Sequence, residues 1–381
     1  VDDPFKNDPE IMIYRFCHVL FGLTCSPFIL NATLREHFKK LNESDLDTYN
    51  LITSLLASLF VDDIVGGSDN QRNPLIKFQK LVNILGDANF YVYKFVSNDE
   101  NLTEKVRNLN ANYVKSGPSS SLHDVLGVSW DCNLDEFIVD LGAIVELVAL
   151  PTKRDVLHII AKIFDPLGLC SPVVLRGKLI FQELCRRNVN WDENIPEDLL
   201  KEWNTWVNDL ITTKTFSLRR CYEKGELVKS SLFGFSDGSS KAYAAAVYLR
   251  NELKNGEITS ILVCSKARVA PLEKIDSKKL TIPRLEMLGC FILSHLMATV
   301  EKSLDVANFV ISEKRYYTDS TISLARIKGV EHEYHQWVQN RVKTIREKSQ
   351  IDHWYYVPTK RNPSDLPSRG CLLNELQSSD M

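Results

Sequence analysis

The chain contains no apolar run long enough to cross a bilayer. Its opening, VDDPFKNDPE, has neither an initiator methionine nor the basic and apolar stretches of a secretion signal. These absences predict a cytoplasmic protein with no membrane partner. No CxxC pair occurs: nine cysteines, an odd number, are scattered singly from Cys17 to Cys371. That excludes a sequence-evident zinc finger or disulfide framework and predicts reduced thiols. An excess of charge of one sign is also lacking, since 46 Lys and Arg stand against 49 Asp and Glu for a net charge of -3. No global field recruits a polyanion, so any contact with nucleic acid must be local. Repeats and low-complexity tracts are missing too, which argues against a solenoid or a disordered linker.

What is present is an ordinary globular composition, 44% hydrophobic and 25% charged over 381 residues, enough for two or three cores. Residues 1–150 mix a helix over Pro27 to Phe38, its apolar side formed by Phe28, Leu30, Leu34 and Phe38, with short strands. A β-rich run, Ser58 to Val65, is interrupted by Asp62-Asp63 and stopped by Gly66-Gly67. Helical spacing returns over Lys77 to Leu85, followed by the strand-like Phe90 to Tyr93. A Ser, Gly and Pro loop over Ser116 to Ser121 leads to Val125 to Trp130 and Phe137 to Val139, which can pair as a hairpin. Residues 151–228 read as a separate helical unit, with helices over Asp155 to Phe164, Leu175 to Arg186 and Asp198 to Leu210. Residues 229–381 give three strands, a long helix from Pro283 to Val300, a strand through Tyr316-Tyr317, two helical stretches and a strand over His353 to Val357. That order predicts a mixed sheet layered with helices, so the whole chain is α/β and α+β and multidomain.

Asp62 and Asp63 stand between Leu59-Phe60-Val61 and Ile64-Val65. Two carboxylates inside an apolar run are costly unless a cation or hydrogen bonds compensate. A polar hairpin turn fits these residues equally well. In a strand or hairpin, adjacent side chains point to opposite sides, so only one of the pair reaches a given metal directly. The last part carries four more acids. Asp237 ends the first strand among Gly234, Ser236, Gly238, Ser239 and Ser240, small residues that leave room for ions and for a backbone to approach. Glu286 lies in the first turns of the long helix opened by Thr281-Ile282-Pro283, where the helix dipole favours a negative side chain. Asp319 follows the strand at Tyr316-Tyr317-Thr318, and Asp365 sits just beyond the last strand in Asn362-Pro363-Ser364-Asp365-Leu366-Pro367-Ser368-Arg369-Gly370. Singly, each reads as a cap, loop acid or surface charge; together they form an ordered set.

These segments resemble, over nearly the whole chain, the polymerase and ribonuclease H part of a BEL/Pao-type retrotransposon polyprotein. Phe21-Gly22-Leu23-Thr24-Cys25-Ser26-Pro27 with Phe60-Val61-Asp62-Asp63 resembles the reverse transcriptase palm. The resemblance implies that Phe21, Gly22, Ser26 and Pro27 lie against the incoming nucleotide and template, and that Asp62 and Asp63 serve two magnesium ions. Tyr93-Lys94-Phe95 is a further match that places Lys94 at the nucleic acid, and Leu126 to Asp131 is similar to the hairpin that grips the primer. The palm's other aspartate and the fingers fall upstream of Met12 to Phe16 in that family, which leaves this palm short of a carboxylate and predicts an incomplete polymerase. Thr152 to Leu157, Phe164 to Leu169, Ser171 to Val173 and Trp191-Asp192-Glu193 look like the region after the palm. A thumb and connection there would lay Lys153, Arg154, Arg176 and Lys178 along a duplex backbone; a packing domain with solvated cations is the other reading.

Asp237, Glu286, Asp319 and Asp365, in that order, resemble the ribonuclease H-like fold. The implied chemistry is cleavage of the RNA strand of an RNA/DNA hybrid with two Mg2+ ions held by the four acids, Mn2+ being a substitute. Template-primer and dNTP are the partners the palm would add, and retroelement particles the location. The alternative is a domesticated or inactive copy that binds nucleic acid without turnover. Oligomeric state is not legible. His332, His335 and His353 have no soft or clustered partners that would make a zinc site.

Overall fold

Alternating apolar residues over 227–269 and helical spacing over 282–306 set the largest elements of the computed structural model. The structure describes residues 14–16, 18–20, 22–41, 46–67, 72–114, 121–142, 150–222, 225–272, 280–307, 309–330 and 334–379. The readings that fell on Phe21, His332, Met12-Ile13 and most of the Ser116 to Ser121 loop lie outside these residues. Two units divide the chain, Val1–Gly117 and Pro118–Met381.

In the first unit, helix α1 (Ser26–Leu41) buries Leu34 and Phe38 against Ile52 and Leu55 of α2 (Leu46–Ser58). Leu30, Leu34 and Phe38 recur every four residues and so share one face. Phe28 is offset from that row and is 74% exposed, which corrects its expected place on the apolar side. Strands β1 (Leu59–Phe60) and β2 (Asp63–Ile64) form a minimal antiparallel hairpin. Helix α3 (Arg72–Gly86) follows, then α4 (Glu100–Leu109), which Asp99 caps by accepting the Leu102 N–H at 3.2 Å. The stretch Phe90 to Tyr93 alternates inward Phe90 and Val92 with exposed Tyr91 and Tyr93, as a strand would. It forms no strand among the described residues, because alternation creates a strand only where a neighbouring backbone can pair with it.

The second unit opens with an antiparallel meander, β3 (Leu122–Val125), β4 (Val128–Asp131) and β5 (Glu136–Asp140). Three helices follow: α5 (Lys153–Lys162), α6 (Ser171–Arg186) and α7 (Glu197–Thr213). Thr152 and Asp155 form a capping box at the start of α5, worth about 1 kcal/mol. Strand β6 (Thr215–Arg219) then returns to pair with β5. The expected hairpin therefore exists, but it is completed by a strand from beyond the helices and belongs to the second unit rather than to a 1–150 palm.

Strands β7 (Leu227–Gly238), β8 (Ala242–Leu253) and β9 (Ile258–Val269) run antiparallel. The long helix α8 (Ile282–Val306) leads to β10 (Glu313–Thr318), and α9 (Thr321–Lys328) and α10 (Gln336–Lys348) lead to β11 (Trp354–Tyr356). Short helices α11 (Asp365–Arg369) and α12 (Leu373–Gln377) close the chain. The sheet order is β11-β10-β7-β8-β9, with β10 parallel to both β7 and β11. Helix α8 covers one face, joined by α9 and α10 in a core with Leu232, Val247, Leu249, Met297, Tyr316 and Trp354. The other face meets α6 and α11 along β7, β8 and β9.

The expected helical unit at 151–228 is not packed separately. Its core of Ile159, Val173, Leu184, Trp203, Trp206 and Leu210 also takes in Leu141 from the meander and Leu373 and Leu376 from α12. The turn Asp165 to Gly168 presses on β9, where the Ser265 N–H donates to the Leu167 carbonyl at 2.9 Å. Gln182 Nε2 donates to the Ala270 carbonyl at 2.6 Å. Burying Trp206 completely, with its indole N–H on the Val173 carbonyl at 3.0 Å, makes this layer hard to detach; truncating it to alanine costs about 3–5 kcal/mol. Among the described residues no helix is long and apolar enough to cross a membrane.

Candidate active site

Strands β7 and β10 are parallel neighbours, so their carboxyl ends lie on the same side of the sheet. Asp237 is the penultimate residue of β7 and Asp319 directly follows β10. Helix α8 brings Glu286 in its first turns, and α11 begins at Asp365. Four acids far apart in sequence are thus delivered to one end of the sheet.

Close approach of α8 to β7 depends on two glycines. A Cβ on Gly238 would stand 2.3 Å from the Glu286 nitrogen, and one on Gly289 would stand 2.7 Å from the Asp237 carbonyl oxygen. Hydrogen-sized side chains at both positions let the helix and strand backbones touch, placing Glu286 beside the strand that carries Asp237. The small residues around Asp237 therefore serve the backbone approach that their sequence suggested.

Three of the four acids have a hydrogen-bonding partner. Ser368 Oγ donates to Asp237 Oδ2, and Ser320 Oγ donates to Glu286 Oε2 at 2.5 Å while accepting the Ser323 N–H as the cap of α9. Arg369 Nε donates to Asp365 Oδ1 at 2.6 Å. The segment that carries Asp365 and Ser368 is itself fastened to β7: Asn362 Nδ2 donates to the Ser236 carbonyl at 3.0 Å and Ser364 Oγ to the Phe235 carbonyl at 2.8 Å. Ser239 Oγ donates to the Ser368 carbonyl at 2.8 Å. Asn362, Ser364 and Ser368 are all buried. Their motif was visible in the sequence, but hydroxyl and amide side chains in a loop carry no sign of which backbone they will bond, so these supporting roles were missed. Ser320 was missed for the same reason.

Electrostatics tie the four together. Burial pushes the Asp237 carboxyl from the ordinary 3.8 up to about 6, against the Ser368 hydrogen bond, and the negative charges of Asp319 and Asp365 add to the rise. Burial also raises Glu286, with Asp319 contributing and Arg326 opposing. Each acid thus acts on at least one other, as expected of carboxylates held at the same place. Among the described residues no three His, Cys, Asp or Glu side chains surround a single point closely enough to hold a metal as they stand.

A cavity of about 450 Å³ beside this end of the sheet is lined by Arg176, Lys241, Arg369 and Gly370, with Glu183 and Glu202. Arg176 shares this cavity with Arg369, the residue that bonds Asp365; none of the four acids lines it. Lys153 does not face outward: it is 8% exposed, its ammonium donates to the Val189 carbonyl at 3.0 Å, and it lies 5.0 Å from the Trp191 ring centroid. That corrects its expected role on a duplex backbone. The Val189 carbonyl and the Trp191 ring hold it as a packing cation. Arg154 is exposed and forms a bidentate pair with Asp192 at 2.8 and 3.2 Å.

In the first unit Asp62 and Asp63 are exposed; Asp63 pairs with Phe60 across the hairpin, and Val61 in the turn has φ +52. A β-branched residue in the left-handed region is a strained conformation, common at sites that hold a side chain for a purpose. Gly22 and Pro27 are exposed, Ser26 Oγ donates to the Leu20 carbonyl at 2.5 Å, and Lys94 is exposed with φ +60. Among the described residues no hydrogen bond or ion pair joins Asp62 or Asp63 to Gly22, Ser26, Pro27 or Lys94. His335 precedes α10 without capping it by its side chain, and His353 has a buried Nδ1 with no partner.

Solved structures similar to part of the chain include the N-terminal RNase H domain of Rv2228c from Mycobacterium tuberculosis, solved as a fusion with maltose-binding protein. It shows 12% identity, covers 39% of this chain and 94% of that one, and has a TM-score of 0.24. LC11-RNase H1 in complex with an RNA/DNA hybrid shows 10% identity over 36% of this chain and 91% of that one, TM-score 0.24. RNase H1 from the halophilic archaeon Halobacterium salinarum NRC-1 shows 12% identity over 36% and 91%, TM-score 0.21. No curated protein matches the chain. Residues 152–320, which run from the capping box of α5 to the residue after Asp319, match the family model of the Pao retrotransposon-like RNaseH-like domain.

Proposed function

We propose that the second unit is a metal-dependent endonuclease of ribonuclease H type that cuts the RNA strand of an RNA/DNA hybrid, with Asp237, Glu286, Asp319 and Asp365 as its carboxylates. The observation that carries this reading is the delivery of four acids from four separate elements to the carboxyl end of β7 and β10, with mutual electrostatic influence. The donor set is all oxygen, which fits hard divalent cations such as Mg2+, with Mn2+ as a substitute, and does not fit a soft metal. Bound there, two such ions would activate a water and neutralise charge on the leaving 3′ oxygen.

The protein's own residues would do the rest. Ser368 and Ser320 fix the rotamers of Asp237 and Glu286, so that the carboxylates need little rearrangement to accept a cation. Asp365 is tied to Arg369, and turning away from that guanidinium is the movement this reading requires. Arg176 and Lys241, which share a cavity with Arg369, would hold a phosphodiester in register, while the 2′-hydroxyl marks the strand to be cut. The test is cleavage of the labelled RNA strand of a hybrid with Mg2+, wild type beside Asp237→Asn. Cleavage lost in the variant supports the reading; no cleavage by folded wild type, even with Mn2+, replaces it with a remnant that only binds nucleic acid.

The strained Val61 turn that presents Asp62 and Asp63 favours a second reading for the first unit: part of a reverse transcriptase palm, with Gly22, Ser26, Pro27 and Lys94 toward template-primer and dNTP, and the helices of 151–228 as thumb and connection. Extension of a primed template, lost in both Asp62→Asn and Asp63→Asn, would support it, and extension retained in both would remove it.

A further inference from the structure

Strand β7 alternates. Gly234 faces Leu293 and Met297 of α8, so Phe233, Phe235 and Asp237 point to the opposite side. On that side four rings stand in a row across four strands. Tyr355 on β11 lies 5.7 Å from Tyr317 on β10, Tyr317 stacks 5.0 Å from Phe235 at an interplanar angle of 14°, and Phe235 meets Tyr248 on β8 at 5.8 Å. Phe233 lies beside the row, 5.8 Å from Tyr317. Tyr248 is buried, Phe233, Phe235 and Tyr317 are half-buried, and Tyr355 is 39% exposed. Helices α8, α9 and α10 belong to the core of the opposite face, and α6 and α11 pack on β7, β8 and β9.

Cations surround these rings. Arg315 lies over both Phe233 and Tyr355 at 5.6 Å, Arg250 over Phe233 at 5.9 Å and Lys328 over Tyr355 at 5.9 Å. Lys229 joins them through Glu313. The acids here are Glu252, paired with Arg250, and Glu313, paired with Lys229 and Arg315. Around the rings themselves four cations stand against two acids, which leaves a positive excess there, while Asp237 lies at the end of the same side of β7.

We infer that this aromatic and basic sheet face is a stacking platform for single-stranded nucleic acid. The exposed ring of Tyr355 at the end of the row can accept a base by its π-face while the cations around it meet the phosphates. A duplex keeps its bases stacked inside and offers nothing for the rings. A second copy of this chain would set like charge against like charge, so charge complementarity favours the polyanion. The row crosses β7 at Phe235, two residues before Asp237 on the same side of that strand, so a strand held there lies close to the candidate nuclease centre. The inference goes beyond that centre and stands without it, because stacking needs no metal.

The test is fluorescence anisotropy of labelled oligouridylate and oligothymidylate of roughly 15 nucleotides with the full chain in EDTA, beside a blunt duplex of equal length. The expected result is preference for the single strands, with Tyr355→Leu and Arg315→Gln each weakening binding about tenfold at unchanged circular dichroism. Arg315→Gln removes charge from a partly exposed side chain and keeps the test valid where the Tyr355 variant loses its fold. Equal affinity for the duplex, unchanged affinity in a folded variant, or a concentration-dependent dimer that Tyr355→Leu dissolves would each overturn the inference. Because the assay contains no metal, its result is independent of whether the hybrid is cut.

Discussion

The chain holds two sets of carboxylates in opposite physical states. Asp62 and Asp63 sit in the open on a hairpin of two residues per strand, whereas Asp237 is 7% exposed at the end of a twelve-residue strand. Asp237 is held by a buried serine, which in turn is held by a segment bonded to the same strand; among the described residues nothing comparable stands behind the hairpin. A buried acid is costly to ionise, so a fold that keeps one and builds hydrogen bonds around it has arranged a place for charge to be compensated. An exposed pair places no such demand on its surroundings.

The largest expected effect sharpens this contrast at Asp237 itself. Replacing it with asparagine should lower hybrid cleavage by on the order of a thousandfold, about 4 kcal/mol of barrier, in single-turnover assays. The same substitution should stabilise the metal-free protein near neutral pH. Because the folded carboxyl titrates at about 6 and the ordinary value is 3.8, the folded state binds the extra proton between them. Wild-type stability therefore falls as pH rises through that window, and above it the penalty reaches about 2–3 kcal/mol. Thermal melts in EDTA should show Asp237→Asn above wild type at pH 7, with the gap closing toward pH 4. A variant equal to wild type at both pH values would remove the strained-acid account.

Next in size is Gly238→Val. Its side chain would enter the Glu286 and Leu285 backbone, so urea unfolding should show a loss of about 3 kcal/mol or more, with cleavage reduced as α8 withdraws Glu286. Arg369→Ala removes the guanidinium that holds the partly exposed Asp365, and we expect half-maximal cleavage at about two- to fivefold lower Mg2+, read from a metal titration. An increased Mg2+ requirement would mean that Arg369 positions the acid instead of competing for it. Smallest of all, Asp62→Asn and Asp63→Asn should leave hybrid cleavage unchanged and shift stability by less than about 0.5 kcal/mol. A large loss of cleavage from either would break the comparison.

How much of this was legible can be argued residue by residue. Helices α5, α6, α7 and α8 and strands β7 to β11 stand where periodicity put them, because each buries one face against a core that its own spacing announces. Phe28 and Phe90 to Tyr93 differed because exposure and strand pairing depend on neighbours supplied by other segments. Lys153 differed because a lysine at a helix start looks the same in sequence whether its ammonium meets water or the Val189 carbonyl. The helical stretch and the sheet after it looked separable in sequence, but Leu373 and Leu376, from the far end of the chain beyond the sheet, complete the helical core.

The sequence by itself determined helices α5 to α8, strands β7 to β11 and the order in which the acids Asp237, Glu286, Asp319 and Asp365 follow one another, since these depend on local side-chain pattern. Only the tertiary structure decided that Gly238 and Gly289 let α8 touch β7, that Ser368 and Ser320 hold two of the acids, and that five aromatic side chains from β7, β8, β10 and β11 share one face. Those outcomes depend on strand register and on close approach between segments distant in the chain, and neither leaves a mark on the residues taken one stretch at a time.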